Sequence, residues 1–564
     1  MLTTGGPVAV DGATAADEGA RARSRWGDAA LLGVVFAVGV VPVVLVLALR
    51  GGLYGITEYD DGVYFAAALR LVAGLLPYRH FVFVEPPGIT VLLAPFALLA
   101  HLTGGRDALA AARLFTALVA GANALLVATL LRRHGRLAMA VGGLALAVFP
   151  TGYAADHTFL LEPFCVLFCL IGVRLVFTDE GRFASSRRCA LGGASVAFAC
   201  DVKTFAVVVL VVLAVVLVCS APRRAAAFAL GAALAVAVTV LPFFLAAPHA
   251  FLHEVVVSQL TRGTARPTPL LNRLFALVGL AYAAPSLAVA PNLPSLPRGL
   301  APTLAAALVL GAVLLLLVLR LLGRRDRSPW SWFVVLSALA TAATALGPPA
   351  YYAHYAAFPA PFLAIALGTG VALLPRPAGR RRLLAGGLAG LVVGAGSLVV
   401  LVISGGYHDT IASKFGDWGP VVAARVPAGA CVVADSESVL VSAGRAFPAG
   451  DGCPQLLDAT GIWLAADPAN PPHRLFQPFA SHLQGGKDPA LVALWAEAFR
   501  RADYVVVSGC TAFRIPWTTA LLSEFEERYE RLPTPIGAIY GRRPKPLRSL
   551  PAGGLPTPAG CLLP

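Results

Sequence analysis

The chain has 564 residues and a formal net charge of +14, yet only 13% of its residues are charged and 58% are hydrophobic. Soluble globular domains carry about 25% charged residues, so this composition excludes an ordinary soluble protein. The basic residues lie in short clusters between apolar runs, which is typical of cytoplasmic loops of a membrane protein and disfavours nucleic-acid binding; the clusters are at 132–136, 182–188, 222–224, 323–327 and 376–382.

The N-terminal part predicts a cytoplasmic start followed by a membrane anchor. Residues 1–25 are rich in alanine, glycine and charge, and we expect them to be disordered in the cytoplasm. The apolar run at 29–49 is long enough to cross a hydrocarbon layer of about 30 Å. No cleavable signal peptide is evident, so this run is interpreted as a signal anchor.

Residues 26–405 predict a polytopic α-helical transmembrane domain with outer loops at 50–107 and 248–299. Placing the basic clusters inside gives about eleven spans, at 29–49, 108–131, 136–152, 161–178, 188–201, 204–220, 224–247, 300–322, 331–347, 356–374 and 383–404. The apolar run at 86–104 is expected to lie in the outer interface, because a full span there would put the cluster at 132–136 outside. The run at 270–290 is interpreted in the same way.

Residues 406–564 predict an extracytoplasmic α/β domain. Short β-branched runs such as "ADYVVVSG" alternate there with helix-like segments such as "DPALVALWAEAFRRA". Cys431 and Cys453 are the preferred disulfide pair in this part. Five cysteines in apolar runs are interpreted as packing residues; they are Cys165, Cys169, Cys189, Cys200 and Cys219.

The ionisable residues outside the basic clusters map to the outer side of this topology. Ionisable groups at a membrane boundary are candidates for a functional site, although each one alone is equally well explained as a solvated loop residue. The candidates are Asp60, Asp61, Glu85, Asp156, His157, Glu162, Lys203, Arg262, Arg266 and His354, together with Tyr352.

Asp60 and Asp61 allow two interpretations. "VYFAAALRLVAG" predicts a helix that starts at this pair, and acidic residues stabilise the first turn of a helix. The functional alternative is a general base, because a partly buried carboxylate has a raised pKa and accepts a proton from an attacking hydroxyl group.

The stretch "EYDDGVYFAAALRLVAGLLPYRHFVFVEPPG" resembles the first outer loop of the GT-C membrane glycosyltransferases. The branch it resembles contains protein O-mannosyltransferases and lipid A aminoarabinose transferases. The resemblance places Asp60 on the catalytic acidic position, Asp61 on its acidic neighbour, Tyr64 on an aromatic position and Glu85 at the start of a second motif. Asp61 stands where the family usually has Glu, and Pro86 stands where it has Lys.

The resemblance extends to two later segments and covers about residues 25–405. "FPTGYAADHTFLLEPF" is similar to the second outer loop, where Asp156 and Glu162 would shape the site. "PPAYYAHYAAFPAPFLAIALG" is similar to the late helix start that contacts the donor phosphate. The composition would suit an actinobacterial source.

The family implies a sugar donor linked to polyprenyl phosphate and an inverting displacement, with Asp60 as base and Asp61 beside it. Lys203, Arg262 and Arg266 would meet the departing phosphate, although the two arginines would equally suit lipid headgroups. Tyr352 and His354 would contact phosphate or sugar, or anchor the interface.

The implied partners are a polyprenyl-phosphate sugar, a glycan, lipid or protein acceptor, and the bilayer of the plasma membrane, without nucleic acid. No cofactor and no metal-ligand set is predicted, although an assisting divalent cation stays compatible with the sequence. A transporter or flippase of lipid-linked substrates is the alternative; such a protein would place ionisable residues near the bilayer midplane and contain repeats. A structural or sensor membrane protein leaves the first outer loop unexplained.

Overall fold

The computed structural model describes residues 11–49, 52–56, 58–149, 152, 155–263, 268–277, 328–372, 417–447, 450, 452–454, 456–467, 488–507, 514–534 and 538–544. The described residues up to 372 are predominantly helical. Those from 417 onwards combine short helices with a small sheet.

The helical part follows the apolar runs of the sequence. Its helices are α1 (Asp11–Leu49), α2 (Asp60–Val72), α3 (Gly88–Thr103), α4 (Gly105–Leu130), α5 (Arg136–Ala147), α6 (Leu161–Val176), α7 (Ser186–Val202), α8 (Val207–Ser220), α9 (Pro222–Thr239), α10 (Leu241–Ala246), α11 (Pro248–Phe251), α12 (Ser258–Leu260), α13 (Leu270–Leu277), α14 (Pro329–Leu346) and α15 (Ala360–Ala372). A π-helical turn, Leu252–Val257, joins α11 to α12.

Three helical segments are long and apolar enough to cross a membrane, namely Trp26–Ala48, Gly105–Leu130 and Pro329–Leu346. Several shorter helices are also apolar. On α8 the side chains of Val207, Val211, Val215 and Val218 are exposed along one face. An apolar stripe of this kind is compatible with lipid contact and unfavourable in water.

Nine of the predicted spans coincide with helices of the described chain, and the spans at 300–322 and 383–404 lie outside the described residues. The run at 86–104 is α3, and the run at 270–290 contains α13. On which side of the membrane each helix ends stays a prediction, as does the number of spans.

Helix α1 begins at Asp11, so residues 11–25 are helical in the structure, and the predicted disorder of residues 1–25 stays a prediction. The segment "DGATAADEGARARSR" contains many alanines and arginines, which have high helix propensity. The helix therefore extends from the apolar run back into the charged segment. Residues 1–10 lie outside the described part of the chain.

Helices α7 and α9 pack with their backbones in close contact. A Cβ atom on Gly193 would lie 2.0 Å from the carbonyl oxygen of Phe228, and one on Gly231 would lie 1.9 Å from that of Ala190. Small residues permit this approach between membrane helices, where packing replaces the hydrophobic effect as the source of association. Replacing either glycine by a larger residue would force the two helices apart.

The described C-terminal part contains a four-stranded sheet with the order β1 (Val432–Ala434), β2 (Tyr504–Val507), β4 (Ala538–Arg542) and β3 (Tyr529–Arg531). The β1–β2 pair is parallel, and the other two pairs are antiparallel. The helices are α16 (Gly419–Arg425), α17 (Glu437–Ser442), α18 (Ala459–Ala466), α19 (Pro489–Arg501) and α20 (Thr519–Arg528).

The C-terminal part has an aromatic cluster of its own, and α17 also packs on the helical part. Trp495, Phe499, Trp517 and Phe525 are buried together beside the sheet. Buried residues of α17 belong to the same core as α2 and α4. The predicted domain boundary at 405–406 lies outside the described residues.

The predicted disulfide is present between Cys431 and Cys453, whose Cα atoms are 5.4 Å apart. The five cysteines of the apolar runs are free; Cys219 is exposed, whereas Cys165, Cys169 and Cys189 are buried, as expected for packing residues. Cys510 and Cys561 lie outside the described residues.

Candidate active site

Helix α2 begins with the two predicted catalytic carboxylates, Asp60 and Asp61, in its first turn. Successive residues of a helix point about 100° apart, so the two side chains meet different surroundings. Asp61 is fully buried, whereas Asp60 is partly exposed. Asp60 and Asp61 are therefore not equivalent.

Asp61 is held by protein groups on both oxygens. Its Oδ2 accepts hydrogen bonds from Nη2 of Arg113 at 2.6 Å and from the hydroxyl group of Thr158 at 2.7 Å, and its Oδ1 accepts from Ser438 at 3.1 Å. Side chains of both members of the Asp61–Arg113 ion pair are 0% exposed. This geometry is that of a buried ion pair with no exposed surface on Asp61, and the predicted catalytic role of Asp61 stays a prediction.

Asp60 has the opposite environment. Among the residues that the structure describes, none forms a hydrogen bond with its carboxylate. Burial raises the pKa of Asp60, and His354 in its protonated form, Arg262 and Lys203 oppose that rise. Burial lowers the pKa of His354 itself. A partly buried carboxylate with a raised pKa is suited to accept a proton.

Lys203 and Glu162 form a buried ion pair beside this carboxylate. Nζ of Lys203 lies 2.5 Å from Oε1 of Glu162, and Nε2 of His354 lies 3.7 Å from the same oxygen. The ammonium group also lies over the rings of Phe205 and Tyr355, at 4.9 and 4.5 Å from their centroids. Lys203 is thus fixed as a positive charge, and the negative charge of Glu162 raises the pKa of the ammonium group despite its burial.

Arg262 provides a second cation from the segment after α12. Its Nη2 donates a hydrogen bond to the hydroxyl oxygen of Tyr352 at 3.1 Å. The Tyr352 ring in turn stacks on the imidazole of His354, with an interplanar angle of 17°. The ring of Tyr352 therefore lies between the guanidinium group of Arg262 and the imidazole of His354, which is positively charged when protonated.

Glu85 belongs to the same electrostatic cluster. Burial raises its pKa to about 7, although Lys203 and Arg262 lower it. The backbone around it is held by side chains: Tyr78 donates to the carbonyl oxygen of Glu85 at 2.7 Å, and Gln259 donates to that of Val84 at 2.7 Å. The loop that presents Glu85 is thus tied to the segment that carries Arg262.

No protein-family model matches the sequence, and no curated protein matches it. Solved structures do match. ArnT from Cupriavidus metallidurans in the apo state has a TM-score of 0.54 at 15% identity, over 88% of this chain and 97% of that chain. The archaeal oligosaccharyltransferase AglB from Archaeoglobus fulgidus, in complex with an inhibitory peptide and a dolichol-phosphate, has a TM-score of 0.51 at 12% identity, over 92% and 74%. The same oligosaccharyltransferase tethered with an acceptor peptide has a TM-score of 0.52 at 12% identity, over 94% and 76%.

The chain has a GT-C fold. The predicted resemblance to GT-C membrane glycosyltransferases is thus confirmed for the fold, and the helical chain is a membrane protein. The actinobacterial source stays a prediction.

Within the GT-C fold, the structure gathers seven of the predicted residues into one group of charges and rings. They are Asp60, Glu85, Glu162, Lys203, Arg262, Tyr352 and His354. Tyr64 is buried and meets the ring of Phe83 edge-on, with centroids 6.3 Å apart. The roles of these seven residues and of Tyr64 in binding or catalysis stay predictions.

The remaining predicted residues have other surroundings. Asp156 lines a cavity with Asn123 and Glu162, between α4, α5 and α6. His157 is fully buried, so it is not open to a ligand in this conformation. Arg266 lies outside the described residues.

Two further residues join the site. Tyr355 lies under Lys203, and Asp458 from the C-terminal part faces Asp60. Tyr355 belongs to the segment "PPAYYAHYAAFPAPFLAIALG", which the resemblance covers. Asp458 lies about 400 positions after Asp60, outside the part of the chain that the resemblance covers.

The described residues contain no group of three or more His, Cys, Asp or Glu side chains that could hold a metal ion. That a divalent cation assists the reaction stays a prediction.

We expect the thermal stability to fall as the pH rises from about 5 to about 8. Burial raises the pKa of Glu85 to about 7, of Asp156 to about 8 and of Glu437 to about 7. Ordinary carboxyl groups have a pKa of about 4, so across this window the folded state binds more protons than the unfolded state, and folding loses free energy with rising pH. Melting temperatures in detergent at each pH would measure the decline.

The double variant Glu85→Gln, Asp156→Asn should flatten this decline, because the amides do not titrate. Glu527, a partly exposed acid of α20, provides the control: Glu527→Gln should leave the pH dependence as it is in the wild type. Equal slopes for the wild type and the double variant would contradict the prediction.

Proposed function

We propose that the chain is a glycosyltransferase that moves a sugar from a polyprenyl-phosphate donor to an acceptor outside the cytoplasm. The fold supports the class of enzyme, and one observation carries the chemistry. The partly exposed carboxylate of Asp60, without a hydrogen bond to any described residue, faces the three groups Lys203, Arg262 and His354. A base beside clustered cations is the combination that transfer from a sugar phosphate requires.

The proposed reaction is a single inverting displacement. Asp60 accepts the proton of the acceptor hydroxyl group while that oxygen forms a bond to the anomeric carbon. The bond from the anomeric carbon to the phosphate oxygen breaks, and its electron pair leaves with polyprenyl phosphate. Lys203 and Arg262 stabilise the charge that develops on the phosphate.

The fold and the site together support a donor whose sugar is linked to a lipid phosphate. The matched AglB structure contains a dolichol-phosphate. In this chain Lys203 lies between α7 and the apolar helix α8, where a lipid tail can stay in the bilayer while its phosphate reaches Lys203. We place the active site and the C-terminal part on the extracytoplasmic face of the plasma membrane, with the N-terminus in the cytoplasm.

Purified protein in detergent tests the proposal with undecaprenyl-phosphate-linked mannose, galactose and arabinose as donors. Release of undecaprenyl phosphate, either by transfer or by hydrolysis with water as acceptor, is the expected result with at least one donor. Failure to release it with each donor, together with movement of the donors across vesicles that contain the protein, would favour the flippase.

The variant Arg262→Gln is expected to raise KM for the donor by about 10-fold to 100-fold, because a hydrogen bond to a charged group contributes about 1.5–3 kcal/mol. The amide keeps a donor for Tyr352 but lacks the positive charge. Donor titrations of the initial rate would measure KM. Arg501→Gln, at an exposed ion pair with Glu497, is the control and should leave KM unchanged.

A further inference from the structure

The segment that presents Asp60 is supported by residues of the C-terminal part. The hydroxyl group of Ser438 donates to the carbonyl oxygen of Glu58 at 2.7 Å and lies 3.2 Å from that of Tyr59. Gly62 permits this contact, because a Cβ atom there would lie 2.1 Å from the backbone nitrogen of Ser438. The start of α2 and the start of α17 are therefore packed backbone to backbone.

Asp458 makes the second connection. It precedes α18, and its Oδ1 accepts a hydrogen bond from the backbone N–H of Gly461 at 2.7 Å, as an N-cap residue does. The same oxygen accepts from the hydroxyl group of Tyr59 at 2.7 Å, and the N–H of Thr460 donates to that hydroxyl group at 3.0 Å. A helix cap needs only the first of these bonds, so the other two indicate a role towards Tyr59.

The ring of Tyr59 is also covered from the C-terminal part. The guanidinium carbon of Arg514 lies 3.9 Å from its centroid. Tyr59 is thus fixed at its hydroxyl group by Asp458 and on its face by Arg514. It immediately precedes Asp60, so its position sets the position of the carboxylate.

The charges around Asp60 come from five other elements. His354, Arg262 and Lys203 face it, of which His354 is a cation only when protonated, and the carboxylate of Asp458 is a negative neighbour. Glu85, from the loop before α3, and Tyr64, one turn further along α2, also interact with it. The cations favour the charged form of Asp60, and Asp458 opposes them.

We propose that Asp458 is a positioning residue of the active site, which fixes the backbone of Asp60 through Tyr59 and places a negative charge beside it. This inference rests on the proposed function, in which Asp60 is the base. It makes the C-terminal part an integral component of the catalytic site. The support is geometric, since the C-terminal part reaches Tyr59 through four separate contacts, from Asp458, Thr460, Arg514 and Ser438.

The variant Asp458→Asn tests the electrostatic half of the proposal. Asparagine is as good an N-cap residue as aspartate, so α18 should keep its start. Loss of the negative charge lowers the pKa of Asp60, so the acidic limb of the pH–rate profile should move to lower pH, by on the order of half a pH unit. The assay is release of undecaprenyl phosphate from the active member of the donor panel.

Asp488→Asn is the matched control. Asp488 caps α19 in the same way, with hydrogen bonds from Ala490 and Leu491, and it has no bond to Tyr59. Its profile should coincide with that of the wild type. An unshifted acidic limb in Asp458→Asn, or an equal shift in both variants, would overturn the inference.

Tyr59→Phe tests the positional half and keeps the proposal testable if Asp458→Asn does not fold. The ring stays under Arg514, but the hydrogen bond to Asp458 is lost. We expect kcat to fall about 10-fold with KM for the donor unchanged, because a displaced base affects the chemical step and not donor binding. An unchanged kcat would overturn the positional role. Failure of the wild type to release undecaprenyl phosphate from any donor would instead refute the proposed function, and full activity of an Asp60→Asn variant would refute only the choice of Asp60 as base, so these failures are distinguishable.

Discussion

Replacing Asp60 by Asn is expected to slow release of undecaprenyl phosphate by about 10²-fold to 10⁴-fold, the range that general-base catalysis contributes. Asparagine has nearly the same size and cannot accept the proton of the acceptor. Asp60 forms no hydrogen bond with a described residue, so the substitution breaks no hydrogen bond among the residues that the structure describes. Initial rates with the active donor, at equal amounts of folded protein, measure the loss.

Asp107→Asn provides the control for this experiment. Asp107 lies in the first turn of α4, as Asp60 lies in that of α2, but its side chain is exposed. Its rate should equal that of the wild type. A full rate in Asp60→Asn would move the base to another carboxylate, with Glu85 the first to examine because burial raises its pKa to about 7.

Replacing Arg113 by Met is expected to lower the free energy of unfolding by about 3–5 kcal/mol, because it leaves the buried carboxylate of Asp61 without its counter-charge. The guanidinium group also donates to the carbonyl oxygens of Gly52 and Gly55, each at 2.8 Å. The substitution therefore also leaves these two carbonyl oxygens, in the loop before α2, without their hydrogen-bond donor. Denaturation of the detergent-solubilised protein, monitored by tryptophan fluorescence, would measure the change.

Arg106→Met is the matched control on the same helix. Arg106 pairs with Asp417, and both side chains are about one third exposed, at 32% and 33%. Ion pairs in such surroundings contribute less than about 1 kcal/mol. Similar destabilisation in both variants would contradict the structural role assigned to the Asp61–Arg113 pair.

The helices were predictable because membrane spans are encoded locally. An apolar run of sufficient length forms a helix wherever it meets lipid, and α4 and α14 follow this rule closely. The strands β1 and β2 were also predictable from their β-branched runs. Strand β3, with the sequence "YER", has no such signal and exists because it pairs with β4.

The site was predictable only in part, because the sequence shows residues that are close along the chain and does not show contacts between distant ones. Asp60 and Glu85 lie in two motifs of the same predicted outer loop, so the sequence identifies them together. The distinction between Asp60 and Asp61 depends on Arg113 and on Ser438, which is 377 residues away from Asp61. Contacts over such separations leave no local pattern, so nothing in the sequence connects Asp458 with Asp60.

The hydrogen bond between Tyr59 and Asp458 joins residues that are 399 positions apart. During biosynthesis the first loop is therefore inserted long before its support has been translated, since chains emerge from the ribosome in order. The Cys431–Cys453 disulfide lies just before Asp458, so the part of the chain that supports Tyr59 also contains this crosslink. Under the proposed function, the order of synthesis implies a maturation step, in which activity begins only after the last quarter of the chain has folded onto the first loop.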